Sequence, residues 1–291
     1  MKEALPRLRE SLQKDSILPV ARAIMTTDLY PKVRRAEIKC GETGEQTGTI
    51  CATSKGAGMI EPNMATMLAF ILTDLDVGQE QLQLMLRQAM PRSFNAITVD
   101  TDTSTSDTVA IVSSGRVPLS SNAQLRGQQL EDVQNALSEV CRDLACDIVR
   151  NAEGATHLIR IVVDGAPSDD AAAALGRAVL SSRLLATAIA GNDPNVGRLL
   201  AAVGKFVGNS AAGEWIGFDS EKLLLDMGGR ELFRDGKFQL DEEAEVYLQV
   251  CVCRSFPKRE GCRGLLRSAL FCSAPLCSPL LCSALLCSAC L

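Results

Sequence analysis

A chain of 291 residues can hold one large domain or two small ones, and 46% hydrophobic against 22% charged residues reads as a soluble, globular protein with ample core. A net charge of −5 gives no electrostatic footprint for nucleic acid, so none is expected as a partner. The single histidine, His157, argues against His-pair catalysis and His-rich metal sites, and no metal ligands are expected.

The opening segment, MKEALPRLRESLQKD, mixes acidic with basic residues and has no apolar run. It reads as neither a signal nor a transit peptide but as part of a helix over residues 2–24. A polar knot, Thr26-Thr27-Asp28, comes next, and then strand candidates at Ala36–Lys39 and Gly48–Ala52. From Lys55 the chain reads KGAGMIEPNMATMLAFILTD. Gly56 and Gly58 permit a sharp or closely approached backbone. Pro62 stiffens the approach to Thr66–Thr73, a strand apolar on both faces and hence buried. One hydroxyl, that of Thr66, therefore stands where a polar loop enters the core.

Further along, Gln79–Met90 is an amphipathic helix, Asp100–Asp107 (DTDTSTSD) a hydroxyl-rich cluster, and Thr108–Ser113 a strand. A long helix at Gln128–Arg150 leads through NAEGAT, which holds Glu153, to a strand at His157–Val163. Two helices are expected at Asp169–Ser182 and Pro194–Val203, the second with proline near its first turn and NDPNVGR (Asn192–Arg198) as its entering loop and N-cap. Lys222–Asp226 and Glu245–Val252 read as strands. Runs of both types predict a layered α+β domain. Beyond residue 250 the chain changes to a Leu-Cys-Ser run with cysteines at 272, 277, 282 and 287, a period fitting neither helix face nor strand alternation. Residues 251–291 are expected to be a low-complexity tail without regular structure. Residues 268–291 are uncharged, but two prolines and the Ser/Cys content argue against a membrane anchor. The cysteines before the tail (Cys40, Cys51, Cys141, Cys146) are scattered as in a protein of a reducing compartment.

A threonine at the start of a buried strand is ordinarily structural. For Thr66 to act as a nucleophile it needs a base, and no histidine lies near it in sequence. One solution is the threonine's own amine. If the Ala65–Thr66 bond is cut, the new α-amino group, with a pKa of about 8, can take the proton of the adjacent hydroxyl.

KGAGMIEPNMATML resembles the self-cleavage motif of the ornithine acetyltransferase (glutamate N-acetyltransferase) family of arginine biosynthesis. ARAIMTTDLYPK, SFNAITVDTDTSTSDTV, NAEGATHLIRIVVDGA and LLATAIAGNDPNVGRLLAAVG match in the same order, over about residues 3–250. The resemblance implies a layered α/β/β/α sandwich, cut between Ala65 and Thr66. It divides this chain into the remainder of an α chain (1–65), a β chain (66–250) and the tail (251–291). Thr66 would carry an acetyl group from N-acetylornithine to glutamate, with acetyl-CoA as a further donor in some members and no bound cofactor. Thr26, Lys55, Thr66 and Glu153 would contact substrate. A lysine pairs with a carboxylate as a point charge, and a glutamate can hold an amino group. The two cleaved chains would stay together as a heterotetramer, in a chloroplast or mitochondrion for a eukaryotic protein and in the cytoplasm otherwise.

The match also departs from the family. Its Thr-Gly oxyanion pair would lie upstream of Met1, and its closing Asn and Thr/Ser contacts have no counterpart here. Such a pair is worth several kcal/mol of transition-state stabilisation. The rival expectation is therefore a non-catalytic fragment that keeps the fold. Thr101 stands where the family has glycine, and is expected to be strained if the backbone needs positive φ. Val196 stands where tryptophan is usual, which is expected to leave a packing gap. No phosphate-binding glycine motif occurs, which argues against a nucleotide site.

Overall fold

A computed structural model describes residues 16–61, 67–193, 195–210, 218–253, 269–273 and 283–290. The predicted cleavage site at Ala65 and Thr66, and the predicted helix before residue 16, lie outside the described residues. A short helix, α1 (Leu18–Ala23), with proline in its first turn, leads into the antiparallel pair β1 (Lys32–Cys40) and β2 (Gln46–Lys55). β2 pairs antiparallel with β3 (Leu68–Leu75), and β3 pairs in parallel with β5 (Thr108–Val117), giving a sheet of order β1-β2-β3-β5.

The β3–β5 crossover carries α2 (Gln79–Ala89), and α3 (Ala123–Arg150) follows β5. With 28 residues, α3 rises about 42 Å. It starts five residues before the predicted boundary because Asn122 caps it, its side-chain oxygen accepting the N–H groups of Gln124 (3.0 Å) and Leu125 (3.2 Å). The apolar faces of α2 and α3 (Leu82, Met85, Leu137, Leu144, Ile148) form one core with Ile38, Ile50, Ala52, Ala69 and Ile71 of the sheet.

The second sheet comprises β4 (Ile97–Thr98), β6 (His157–Asp164), β7 (Leu224–Met227), β8 (Arg230–Arg234), β9 (Lys237–Phe238), β10 (Ala269–Ser273) and β11 (Ser283–Cys290). Its order is β4-β11-β6-β10-β7-β8-β9. Ile159, Ile161 and Val163 of β6 pack against α4 (Asp169–Leu180), α5 (Arg183–Ala190) and α6 (Val196–Asn209). These helices begin at Ser168, Ser182 and Asn195, each of whose side chains accepts a first-turn N–H. Two sheets, each backed by its own helices, make the predicted layered α+β fold.

Two predictions need correction. Glu245–Val252, read as a strand, lies within helix α7 (Glu242–Cys253). Asp241 starts it by accepting the Ala244 N–H at 2.7 Å, and Glu242, Glu243 and Glu245 load the first turn with the negative charge a helix N-terminus favours. The tail expected to lack regular structure supplies β10 and β11, which flank β6 on either side. Strands inside a sheet read as continuous apolar runs rather than alternations, so a five-residue period is a poor test of strand character.

Candidate functional site

Several polar segments meet at the end of β2. Lys55 is its last residue, opposite Leu68 of β3, which in turn lies opposite Thr108 of β5. Burial leaves Lys55 only 6% exposed. Directly after it, Gly56 adopts φ 147°, a conformation favouring glycine, and turns the chain out of the sheet. The Gly56 N–H donates to Asp28 Oδ1 at 2.9 Å.

Asp28 sits at the centre of the next segment. Its Oδ2 accepts the Thr26 N–H at 3.1 Å, and its Oδ1 also pairs with the buried Lys32 ammonium. Burial alone would raise the Asp28 pKa, but the Lys32 ammonium and the N–H groups of Gly56 and Thr26 outweigh it and hold the carboxyl below its ordinary range. Burial dominates at Lys32 and lowers its pKa, with Asp28 opposing. The same loop is tied down further along by Asn151, whose Oδ1 accepts the N–H groups of Leu29 (3.1 Å) and Tyr30 (3.2 Å). Thr26 itself is exposed.

The end of α3 brings Glu153 to the same place. Its N–H donates to the Ala57 carbonyl at 2.8 Å. A Cβ added at Gly58 would lie 3.1 Å from the Glu153 carboxyl, so the glycine makes room for this carboxylate. On the far side of β2, Met67, the residue bonded to Thr66, donates its N–H to Asp107 Oδ1 at 2.8 Å and accepts the Thr108 N–H at 3.1 Å. Burial raises the Asp107 pKa, countered in part by the Met67 N–H and the charge of Lys55.

The loops beside the site hold unusual backbone. Met59 (φ 56°) and Thr101 (φ 66°) are both left-handed. Asp100 joins them, accepting the N–H of Ile60 at 3.0 Å and that of Met59. The strain expected at Thr101 is therefore present. Glu61 ends this loop; burial raises its pKa, and its Oε2 is buried without a hydrogen-bond partner among the described residues.

Of the predicted site residues, the structure brings Thr26, Lys55 and Glu153 to one end of β2. His157, given no catalytic role, joins its Nε2 to Asn192 Oδ1 at 3.0 Å and so anchors the NDPNVGR loop. Val196 starts α6 inside the second core. Sequence reasoning misses the work of Lys32, Asn151 and Asp28. An Asp two residues past Thr26 and an Asn at the end of the long helix are visible signals of a loop anchor and a helix terminus. A cation, a carboxylate and a hydroxyl around one loop can hold both charged ends of an amino acid.

Two sheets with separate helical layers and a polar cluster at one strand end define a sandwich with a solved counterpart. A crystal structure of the arginine biosynthesis bifunctional protein ArgJ from Bacillus halodurans superposes with a TM-score of 0.60 at 26% identity, covering 75% of this chain and 92% of that one. The ArgJ family model matches residues 1–252, and the chain belongs to that family. Proteins named arginine biosynthesis bifunctional protein ArgJ are 42% identical in Nitratidesulfovibrio vulgaris (81% of this chain, 56% of that protein) and 46% identical in Methylococcus capsulatus (70% and 49%). A third, from Thermosynechococcus vestitus, is 44% identical over 81% of this chain and 54% of its own length. The chain spans about half the length of the curated relatives it matches.

Proposed function

We propose that this chain is an acetyltransferase of arginine biosynthesis that cuts itself between Ala65 and Thr66 and moves an acetyl group from N-acetylornithine to glutamate through Thr66. The observation that carries the reading is the meeting of the Thr26, Lys55 and Glu153 segments at the end of β2, in a member of the ArgJ family.

In the first stage the Thr66 hydroxyl attacks the Ala65 carbonyl, the peptide bond becomes an ester, and water hydrolyses it. The products are an Ala65 carboxylate and a Thr66 with free amine and hydroxyl. In the second stage the amine takes the hydroxyl proton while the oxygen attacks the acetyl carbonyl of N-acetylornithine. The proton passes to the departing nitrogen and ornithine leaves. The glutamate amine then attacks the acetyl ester, giving N-acetylglutamate and restoring Thr66. Lys55 would hold a substrate carboxylate and Glu153 an ammonium, with the Thr26 hydroxyl at the same polar end. Acetyl-CoA, as a second donor, would acylate the same oxygen and release CoA thiol.

The two chains would remain together as a heterotetramer, which size-exclusion chromatography with light scattering measures. An organellar location is part of the proposal for a eukaryotic source; the bacterial relatives lend it no support. Intact mass of the purified chain beside Thr66→Ala tests the whole reading. Two fragments meeting at the Ala65–Thr66 bond, absent from the variant, together with acetyl transfer to glutamate, are expected. An uncut, inactive chain would leave the fold without the activity.

A further inference from the structure

We propose that Asp28 is a positioning residue: its one buried carboxylate sets the separation between the Thr26 loop and Lys55, and with it the fit of an amino-acid substrate. The inference rests on the proposed acetyl transfer. The Asp28 and Lys32 side chains are both fully shielded from solvent. One oxygen of Asp28 takes the Gly56 N–H, next to Lys55, at 2.9 Å, and the other takes the Thr26 N–H at 3.1 Å. The carboxylate therefore bridges the backbone of both proposed substrate contacts. Thr26 is itself exposed, so its loop owes its place to its anchors, Asp28 at one end and Asn151 at Leu29 and Tyr30.

Stability alone is a poor reason for this ion pair. Desolvating two charges is costly, and apolar replacements of similar volume commonly hold a fold as well or better. A carboxylate offers what an apolar group does not, two acceptor oxygens for N–H groups on different segments. Pairing Lys32 with Asp28 also keeps a second cation from competing with Lys55 for a substrate carboxylate.

The test compares wild type, Lys55→Met, Asp28→Asn, Asp28→Glu and the paired variant Asp28→Leu/Lys32→Met, all as the full chain. Readouts are the extent of cleavage by intact mass, the melting temperature, and kcat and KM for acetyl transfer from N-acetylornithine to glutamate. Asp28→Asn and the paired variant are expected to raise both KM values about tenfold or more, as misplaced contacts do. Their kcat is expected to stay within about threefold of wild type. Asp28→Glu is expected to recover part of the loss. If Asp28→Asn does not fold, the paired variant, which leaves no buried charge unpaired, carries the comparison. A folded, cleaved variant with wild-type KM, or one whose loss falls only on kcat, overturns the positioning role while an active wild type and an impaired Lys55→Met leave the functional reading standing. A wild type that neither cleaves nor transfers overturns the functional reading, and the inference falls with it.

Discussion

The two sheets bury different things. Around the four-stranded sheet the interior holds Asp28, Lys32, Thr53, Ser54 and Lys55 on or beside β1 and β2, with Asp147 and Asn151 on the helix end above. The second sheet buries only Thr98 of β4 and His157 of β6 among its described polar side chains. After His157 no polar or charged side chain of the described residues is buried, and the core is alanine, leucine, isoleucine and valine with Met227 and Phe233. Burying a polar or charged group is costly unless hydrogen bonds and counter-charges offset it. A protein that concentrates that cost in one place, with a plain apolar core available elsewhere, marks the place where polar chemistry is needed. Under the proposed function the first sheet is the working half and the second its support.

The sharpest way to break that division is Lys55→Met. If Lys55 meets a substrate carboxylate as proposed, removing this buried cation is expected to lower kcat/KM for acetyl transfer about a hundredfold or more. The melting temperature should hold or rise, since the buried lysine side chain has no hydrogen bond or ion pair among the described residues. A variant of wild-type activity would detach the buried cluster from function. The reverse experiment is Ile161→Ala, in the central strand β6 of the supporting half, where the side chain is 2% exposed. Truncation there is expected to reduce unfolding free energy by about 2–5 kcal/mol in urea titrations. Both KM values should be unchanged under conditions where the protein stays folded.

The Asp28–Lys32 pair separates the halves by pH. The Asp28 carboxyl lies below its ordinary range in the fold, so its stabilisation is present above the unfolded value of about 3.9 and is lost as pH falls through the lower folded value. Wild type should therefore lose stability faster than Asp28→Asn on acidification below about pH 4, and the two curves should converge. Parallel curves would mean that the carboxylate contributes nothing specific. Cys141 gives a quieter control: its thiol, pushed up to about 12 by burial in the α3 core, should resist alkylation at pH 8 until the chain unfolds.

Regular periodicity explains why much of this is legible in the sequence. Helices α2, α3, α4 and α6 and strand β6 all lie where their patterns predict them, because each shows one face to a core and a capping residue or turn at its start. Helix α7 does not, since Val246, Leu248 and Val250 alternate like strand residues while the acidic run before them signals a helix. The tail strands escape for a different reason. Their partner is β6, more than a hundred residues away, and pairing at that distance leaves no local mark. At the site, Thr26, Lys55 and Glu153 come from motif order, not from geometry. Lys32 in KVRRAEIKC reads as one more solvated strand cation; only the register that sets it opposite Ser54, with Asp28 folded over it, shows that it is buried.

Thr101 offers the smallest and most direct test of the division, because there the sequence and the backbone disagree. A β-branched side chain at φ 66° places its Cβ against the following carbonyl, which costs about 1–2 kcal/mol. The strain sits in the loop that Asp100 fastens to Met59 and Ile60, on the working side of the molecule. Thr101→Gly removes the clash but frees the unfolded chain, which returns about 0.5–1 kcal/mol to the unfolded state. The net expectation is a gain of roughly 0.5–1 kcal/mol in unfolding free energy. If the strained loop merely tolerates the threonine, cleavage and transfer should be unchanged or improved in the glycine variant. If the threonine hydroxyl or the strain itself serves the site, stability should rise while transfer falls, and the working half would then extend across the loop to β4.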